Sequence, residues 1–154
     1  METWLEEVEP LTLKGQIAVP YTWWVGETGS RFLASLRDEG KILGNRCDQC
    51  NTVYVPPRKS CGRCFVDTGD WIELGNQGIV NAFTIVRFDH TLQPAKAPFA
   101  YALIRLDGAD VDLVHIIRQG LERLKNGVRV AARFKEKGER QGHILDIDCF
   151  DIIS

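Results

Sequence analysis

Four cysteines carry the chemistry that this sequence makes legible first: Cys47-x2-Cys50-x10-Cys61-x2-Cys64. Two close thiol pairs joined by a short loop make a four-thiolate cage for zinc, and four thiolates fill a tetrahedral ion with no position left for water or substrate. A metal held this way is structural, so any activity has to be sought elsewhere. The ten-residue spacer, 51–60, is short for such pairs, but Val55-Pro56-Pro57-Arg58 makes it a stiff extended turn. Two other readings compete. A redox dithiol needs one pair and usually a helix start, and two disulfides need an oxidising compartment. Four thiolates also suit a single iron atom, so zinc against iron stays open. The fifth cysteine, Cys149, stands beside Leu145 and Ile147 in an apolar pattern and reads as a small buried hydrophobe, with no base close to it in sequence.

The elements that must position this cage come from periodicity and turn signals. Ahead of it, Thr28 or Ser30 could cap a helix whose Phe32, Leu33 and Leu36 share a face, and Gly40 would stop it. From Trp71 onward the pattern has period two. In 128–134, Val128, Val130, Ala132 and Phe134 face one way and Arg129 and Arg133 the other. Similar runs at 79–88, 99–106, 111–117 and 143–150 make five strands, separated by turn signals such as Gly75-Asn-Gln-Gly78 and Lys137-Gly138. Leu121 and Leu124 in 118–125 have helical spacing where an OB barrel places its plug helix. A sandwich is the alternative, but it normally has seven strands. The expected fold is therefore mainly β: an N-terminal extension and helix over 1–45, a zinc ribbon over 46–70 and a five-stranded OB-fold barrel over 71–154.

Composition narrows the functional class. A chain of 154 residues with 44% hydrophobic content can bury one core with a small appendage. A net charge of -2 argues against coating nucleic acid. No apolar run approaches the roughly 20 residues of a membrane span, and the start Met1-Glu2-Thr3-Trp4-Leu5-Glu6-Glu7 is acidic where a secretion signal is basic. The expectation is a cytoplasmic protein without a membrane partner. Ile17, Val19, Tyr21, Trp23 and Trp24 make an apolar cluster with no core of its own, which must dock on this domain or on a partner subunit. His115 alternates with Leu113 and Ile117 and reads as a packed, hydrogen-bonded side chain, while His90 falls in a loop.

The order of parts carries a resemblance. A helix, then Gly40-Lys-Ile-Leu-Gly44-Asn-Arg46 ahead of Cys47, Val55-Pro-Pro-Arg58, the second cysteine pair, Trp71, Gly75-x-x-Gly78-x-Val80 and five strands resemble the DUF35 family over about 28–154. The resemblance implies a rubredoxin-like zinc ribbon joined to an OB fold. It implies an accessory role beside a thiolase-fold catalytic subunit in a hetero-oligomer acting on acyl-CoA, with help in holding coenzyme A. The aromatic-rich stretch 15–29 is similar to the longer members, among them small subunits of the benzylsuccinyl-CoA pathway thiolase of anaerobic toluene degradation. A thiolase needs a cysteine nucleophile and acid/base groups in rigid geometry, and this chain offers no such set, so no catalytic residue is assigned to it.

Coenzyme A asks for cations at its phosphates and an apolar channel for its pantetheine. Arg58, Lys59 and Arg63 around the cage, with Lys96 and Tyr101 toward the barrel rim, are the candidates for contacting it. The same side chains would equally serve to solvate the ribbon and an ordinary loop. The rival functional class is a zinc-ribbon/OB-fold nucleic-acid module. Against it stand the acidic balance and the lack of a row of exposed aromatics with cations at alternate positions.

Overall fold

The computed structural model describes residues 11–15 and 19–153. Helix α1 (Gly26–Asp38) leads into strand β1 (Ile42–Arg46), the cysteine knuckles flank strand β2 (Val53–Tyr54), and strand β3 (Trp71–Leu74) follows. β2, β1 and β3 form a three-stranded antiparallel sheet in the order β2-β1-β3. The period-two region expected to form the barrel from Trp71 thus opens with a strand, β3, that was not among the five expected and pairs with β1 in the ribbon sheet. The remaining strands are β4 (Gln77–Val86), β5 (Phe99–Leu106), β6 (Leu113–Ile117), β7 (Arg129–Phe134) and β8 (Ile147–Ile152), closed as β4-β5-β6-β8-β7 with β7 returning to β4. Five strands closed in this order, with β6 and β8 parallel and the other pairs antiparallel, make the expected OB-type barrel.

Alternation does the closing. Val130 and Ala132 are buried in β7, while Arg129 pairs with Asp107 and Arg133 with Asp148 and Asp151 outside. Val80, Ala102, Ile104, Leu113, Ile147 and Phe150 fill the same core as Phe32, Leu36, Ile42 and Val53, so helix, ribbon sheet and barrel share one apolar interior. Arg31 stacks over Trp71 at 4.3 Å and ties α1 to β3. Gly40, at φ +68°, stops the helix with its N–H on the Ser35 carbonyl at 3.0 Å, as the sequence led one to expect.

Three local expectations are corrected. Thr28 and Ser30 do not cap α1. Left-handed Gly26 (φ +76°) turns the chain into the helix earlier, at a Val25 N-cap with no side-chain hydrogen bond. The expected plug helix shrinks to the 3-10 turn Leu121–Arg123, because left-handed Gly120 and Gly127 bracket too few residues for more; Leu124 is extended and buried. The last strand begins at Ile147 rather than at His143. Ahead of it the buried Asp146 carboxylate accepts the amides of Gln141, Gly142 and His143 at 2.9, 2.7 and 3.1 Å and winds Ile144–Asp146 into a 3-10 turn. Those three amides hold Asp146 below the usual carboxylate range although burial pushes the other way.

His115 is packed as expected. Its ring lies edge-on to Phe150 at 5.5 Å, Nε2 faces the Ile144 carbonyl at 3.3 Å, and Nδ1 is buried without a partner among the described residues. Burial lowers its pKa from the ordinary value near 6.5. The folded state thus holds His115 neutral while the unfolded chain binds a proton below about pH 6.5, so stability is full above that pH and falls as acid is added. His115→Leu is expected to flatten the loss of stability between about pH 6.5 and 5, read from urea midpoints across that range.

Candidate metal centre and its surroundings

Each cysteine pair sits on a knuckle made by the backbone. The Asn51 N–H returns to the Cys47 carbonyl at 2.8 Å and the Cys47 N–H reaches Thr52 O at 3.0 Å. The second knuckle repeats this: Phe65 N–H to Cys61 O at 3.0 Å, and Cys61 N–H to Val66 O at 2.8 Å. The four sulfurs converge within 4.8 Å of one another, and Cys50 Sγ lies 3.7 Å from Cys61 Sγ. Zinc–sulfur bonds of about 2.3 Å at tetrahedral angles separate sulfurs by about 3.8 Å, so the cluster fits the ion. Cys47 and Cys61 are buried and Cys50 and Cys64 half-buried.

Hydroxyls and amides finish the cage. Tyr54 Oη donates to Cys61 Sγ at 3.2 Å, and the amides of Arg63 and Cys64 reach the same sulfur at 3.4 Å each. Tyr54 first, with those amides, holds the Cys61 thiol down at about 6 despite its burial. The Thr52 hydroxyl lies 3.1 Å from Cys50 Sγ and lowers that thiol too. Cys64, crowded by the Cys50 sulfur and by burial, is pushed up to about 12, and metal binding would displace its proton. Tyr54→Phe removes one hydrogen bond to a ligand without touching the four sulfurs. It should weaken zinc about tenfold in chelator competition, the scale of losing an outer-shell partner.

Sequence reading missed the residues that hold the ribbon in place. The buried Asn45 amide donates to the Arg58 carbonyl at 2.6 Å and to Thr68, and its carbonyl accepts the Arg58 N–H at 3.1 Å. Asp110, in the turn between β5 and β6, accepts the Val53 N–H at 2.8 Å and ties the ribbon to the barrel. Thr52 and Tyr54 did leave a signal, since hydroxyl residues two and four places after Cys50 fall beside the cage. Asn45 and Asp110 left none, because their partners lie 13 and 57 residues away.

The cations and Tyr101 singled out from the sequence fall on separate surfaces. Exposed Arg58 stacks over Tyr54 at 5.2 Å, and with Arg63 it borders a groove of about 690 Å³ that also touches Cys50, Thr52 and Asp110. Lys59 lines a different hollow with Trp24 and the start of α1. Lys96 lies with His90 and Gln93 in the loop before β5. Tyr101, half-buried, sits on the outer face of the barrel beside Leu103 and Val114 and edge-on to Phe99 at 5.1 Å. Only Arg58 and Arg63 share one site. Four thiolates outweigh one divalent ion, so a loaded cage is anionic and these two guanidinium groups stand beside its charge.

Cys149 is buried as expected, with Arg133 Nη2 at 2.9 Å from its sulfur. Burial and Asp151 push its thiol up to about 11, which keeps it protonated and unreactive. Among the described residues, no helix is long and apolar enough to cross a membrane.

Comparison with known proteins agrees with this geometry. The ChsH2 rubredoxin-like zinc ribbon domain matches residues 34–68, and the ChsH2 C-terminal OB-fold domain matches 71–135. A DUF35 domain-containing scaffold protein of Methanocaldococcus jannaschii is 30% identical over 102 residues, which cover 64% of this chain and 72% of that protein. The crystal structure of a DUF35-family protein of unknown function from Sulfolobus solfataricus superposes with a TM-score of 0.57 at 27% identity, covering 70% of this chain and 77% of that one. The Ltp2-ChsH2(DUF35) aldolase shares the fold with a TM-score of 0.59 at 20% identity, over 75% of this chain and 90% of that one. With its four-cysteine ribbon leading into a closed five-stranded OB barrel, the chain belongs to the DUF35 family.

Proposed function

We propose that this chain is a non-catalytic accessory subunit of a thiolase-type acyl-CoA enzyme, in which zinc staples the ribbon and the barrel is the scaffold. The aromatic segment ahead of α1 docks a thiolase-fold catalytic subunit in a cytoplasmic hetero-oligomer. The observation that carries this reading is the exposure of that segment: Tyr21 is 77% exposed, Trp23 69% and Trp24 76%. Three large aromatics in four residues left open to water mark a contact surface, and aromatics dominate the energy of such contacts. Val19 is exposed with them, while Ile17 lies outside the described residues. A relative described as a scaffold protein and a fold neighbour whose DUF35 chain is paired with Ltp2 in an aldolase support the same division of labour.

Within such a complex the chain would complete a coenzyme A site, with Arg58 and Arg63 at the groove beside the cage as its cations toward phosphate. Lys59, Lys96 and Tyr101 would contact the ligand only where a partner surface brings their separate faces to it. The pathway reading is the benzylsuccinyl-CoA thiolase of toluene degradation, supported by the length and aromatic content of the start. The test is purification of the tagged chain from its own host, with metal analysis and mass identification of retained chains. A thiolase-fold chain is expected in fixed proportion, with zinc near one per tagged chain and thiolase turnover that disappears when the small chain is stripped off. Recovery of the chain alone or with nucleic acid overturns the proposal.

A further inference from the structure

The two cysteine knuckles have one backbone design and differ sharply in one side chain. Asn51 and Phe65 each follow the second cysteine of a pair, each lies at φ +58°, and each sends its N–H to the first cysteine's carbonyl. Asparagine is at home in this left-handed conformation, whereas a bulky phenylalanine there is an outlier. Phe65 gains no burial in return, since it is 85% exposed. Its ring therefore costs conformational energy at the tip of the ribbon without packing into the fold. Nor does the cage need it, because the hydrogen bonds at this position are made by the backbone. Strain held at an exposed site that the fold does not use points to contact with another molecule.

We infer that the second knuckle is an anchor, with Phe65 inserting into an apolar pocket on the thiolase-fold catalytic chain. This rests on the accessory-subunit reading and adds to the N-terminal aromatic segment a second attachment point on the metal ribbon. Aromatic residues, phenylalanine among them, are enriched at protein interfaces, and the side chains that dominate binding energy sit in well-packed, desolvated pockets. The zinc then has a role in assembly: it fixes the knuckle that presents the ring.

The experiment compares the zinc-loaded wild-type chain with Phe65→Asn, which copies the residue of the first knuckle, and with Phe65→Tyr, which keeps the ring. Each is titrated calorimetrically with the purified thiolase-fold chain that the wild type retains from its host. Phe65→Asn is expected to weaken the complex about 30-fold while zinc content stays near one per chain and the melting temperature is unchanged or higher. Phe65→Tyr should stay within about threefold of wild type. Affinity of Phe65→Asn within threefold of wild type overturns the anchor and leaves the accessory-subunit reading standing. Loss of zinc or of thermal stability in Phe65→Asn also overturns it, because Phe65 would then serve the fold. If the wild-type chain retains no thiolase-fold protein, the accessory reading fails and the anchor fails with it.

Discussion

Cys61→Ser is expected to abolish tight zinc binding and unravel residues 47–68 while the barrel stays closed. Cys61 is the most heavily supported ligand, buried and in contact with Tyr54 Oη and two amides, so its loss removes a metal bond and leaves those donors without their sulfur. Apparent binding energies for structural zinc run to about 10–16 kcal/mol, more than a short segment of two knuckles and one two-residue strand can replace. The barrel has its own support. Its strands close on themselves, and Val80, Ile104, Leu113, Ile147 and Phe150 are buried inside it. Hydrogen exchange is the decisive measurement: amides of Cys47, Asn51, Cys61 and Phe65 should exchange with almost no protection, and those of β5 and β8 should stay protected. Global unfolding of the variant would show that the barrel depends on the cage. Retained zinc at one per chain would show that three thiolates suffice.

Gly78→Val should be the most damaging single change outside the cage. Gly78 opposes Leu106 on β5 and Val130 on β7, where three strands meet to close the barrel. A Cβ there would run into the Arg105 carbonyl and press on the Leu106 backbone at 2.9 Å, and neither is a flexible side-chain end that could move aside. The cost is expected to be on the order of 3 kcal/mol or more, a fall in melting temperature of roughly 10 °C for a chain of this size. Gly75→Ala is the control. A Cβ at Gly75 meets nothing within 4 Å, so its melting temperature should stay within about 2 °C of wild type. Equal losses at the two positions would mean that turn flexibility, not strand contact, is what both glycines provide.

That pair of glycines shows where sequence reading stops. Gly75-Asn-Gln-Gly78 reads as one turn signal, yet one glycine lies in open space and the other allows two backbones to approach. The same division runs through the elements. Alternation at 128–134 located β7 because each second side chain had to be apolar to face the core, and that is a local property. Helical spacing of Leu121 and Leu124 predicted a plug that does not form, because two left-handed glycines set the length of the segment, and spacing alone does not count room. A period-two run from His143 promised a strand, but the carboxylate of Asp146 captured the backbone amides just ahead of it.

For the candidate site the boundary is similar. The four ligands, the family and the barrel were legible in the sequence alone, since a thiolate cage needs only residue type and spacing and a half-buried strand declares itself by period. Tertiary structure alone decided that Tyr54 donates to Cys61, that Asn45 and Asp110 pin the ribbon, and that β3 joins β1. It also separated the candidate coenzyme A contacts onto different faces and left Phe65 open at the tip of the knuckle. The physical reason is distance along the chain. Ligand spacing and alternation are read within a few residues, whereas these contacts join segments that meet only after the barrel has closed.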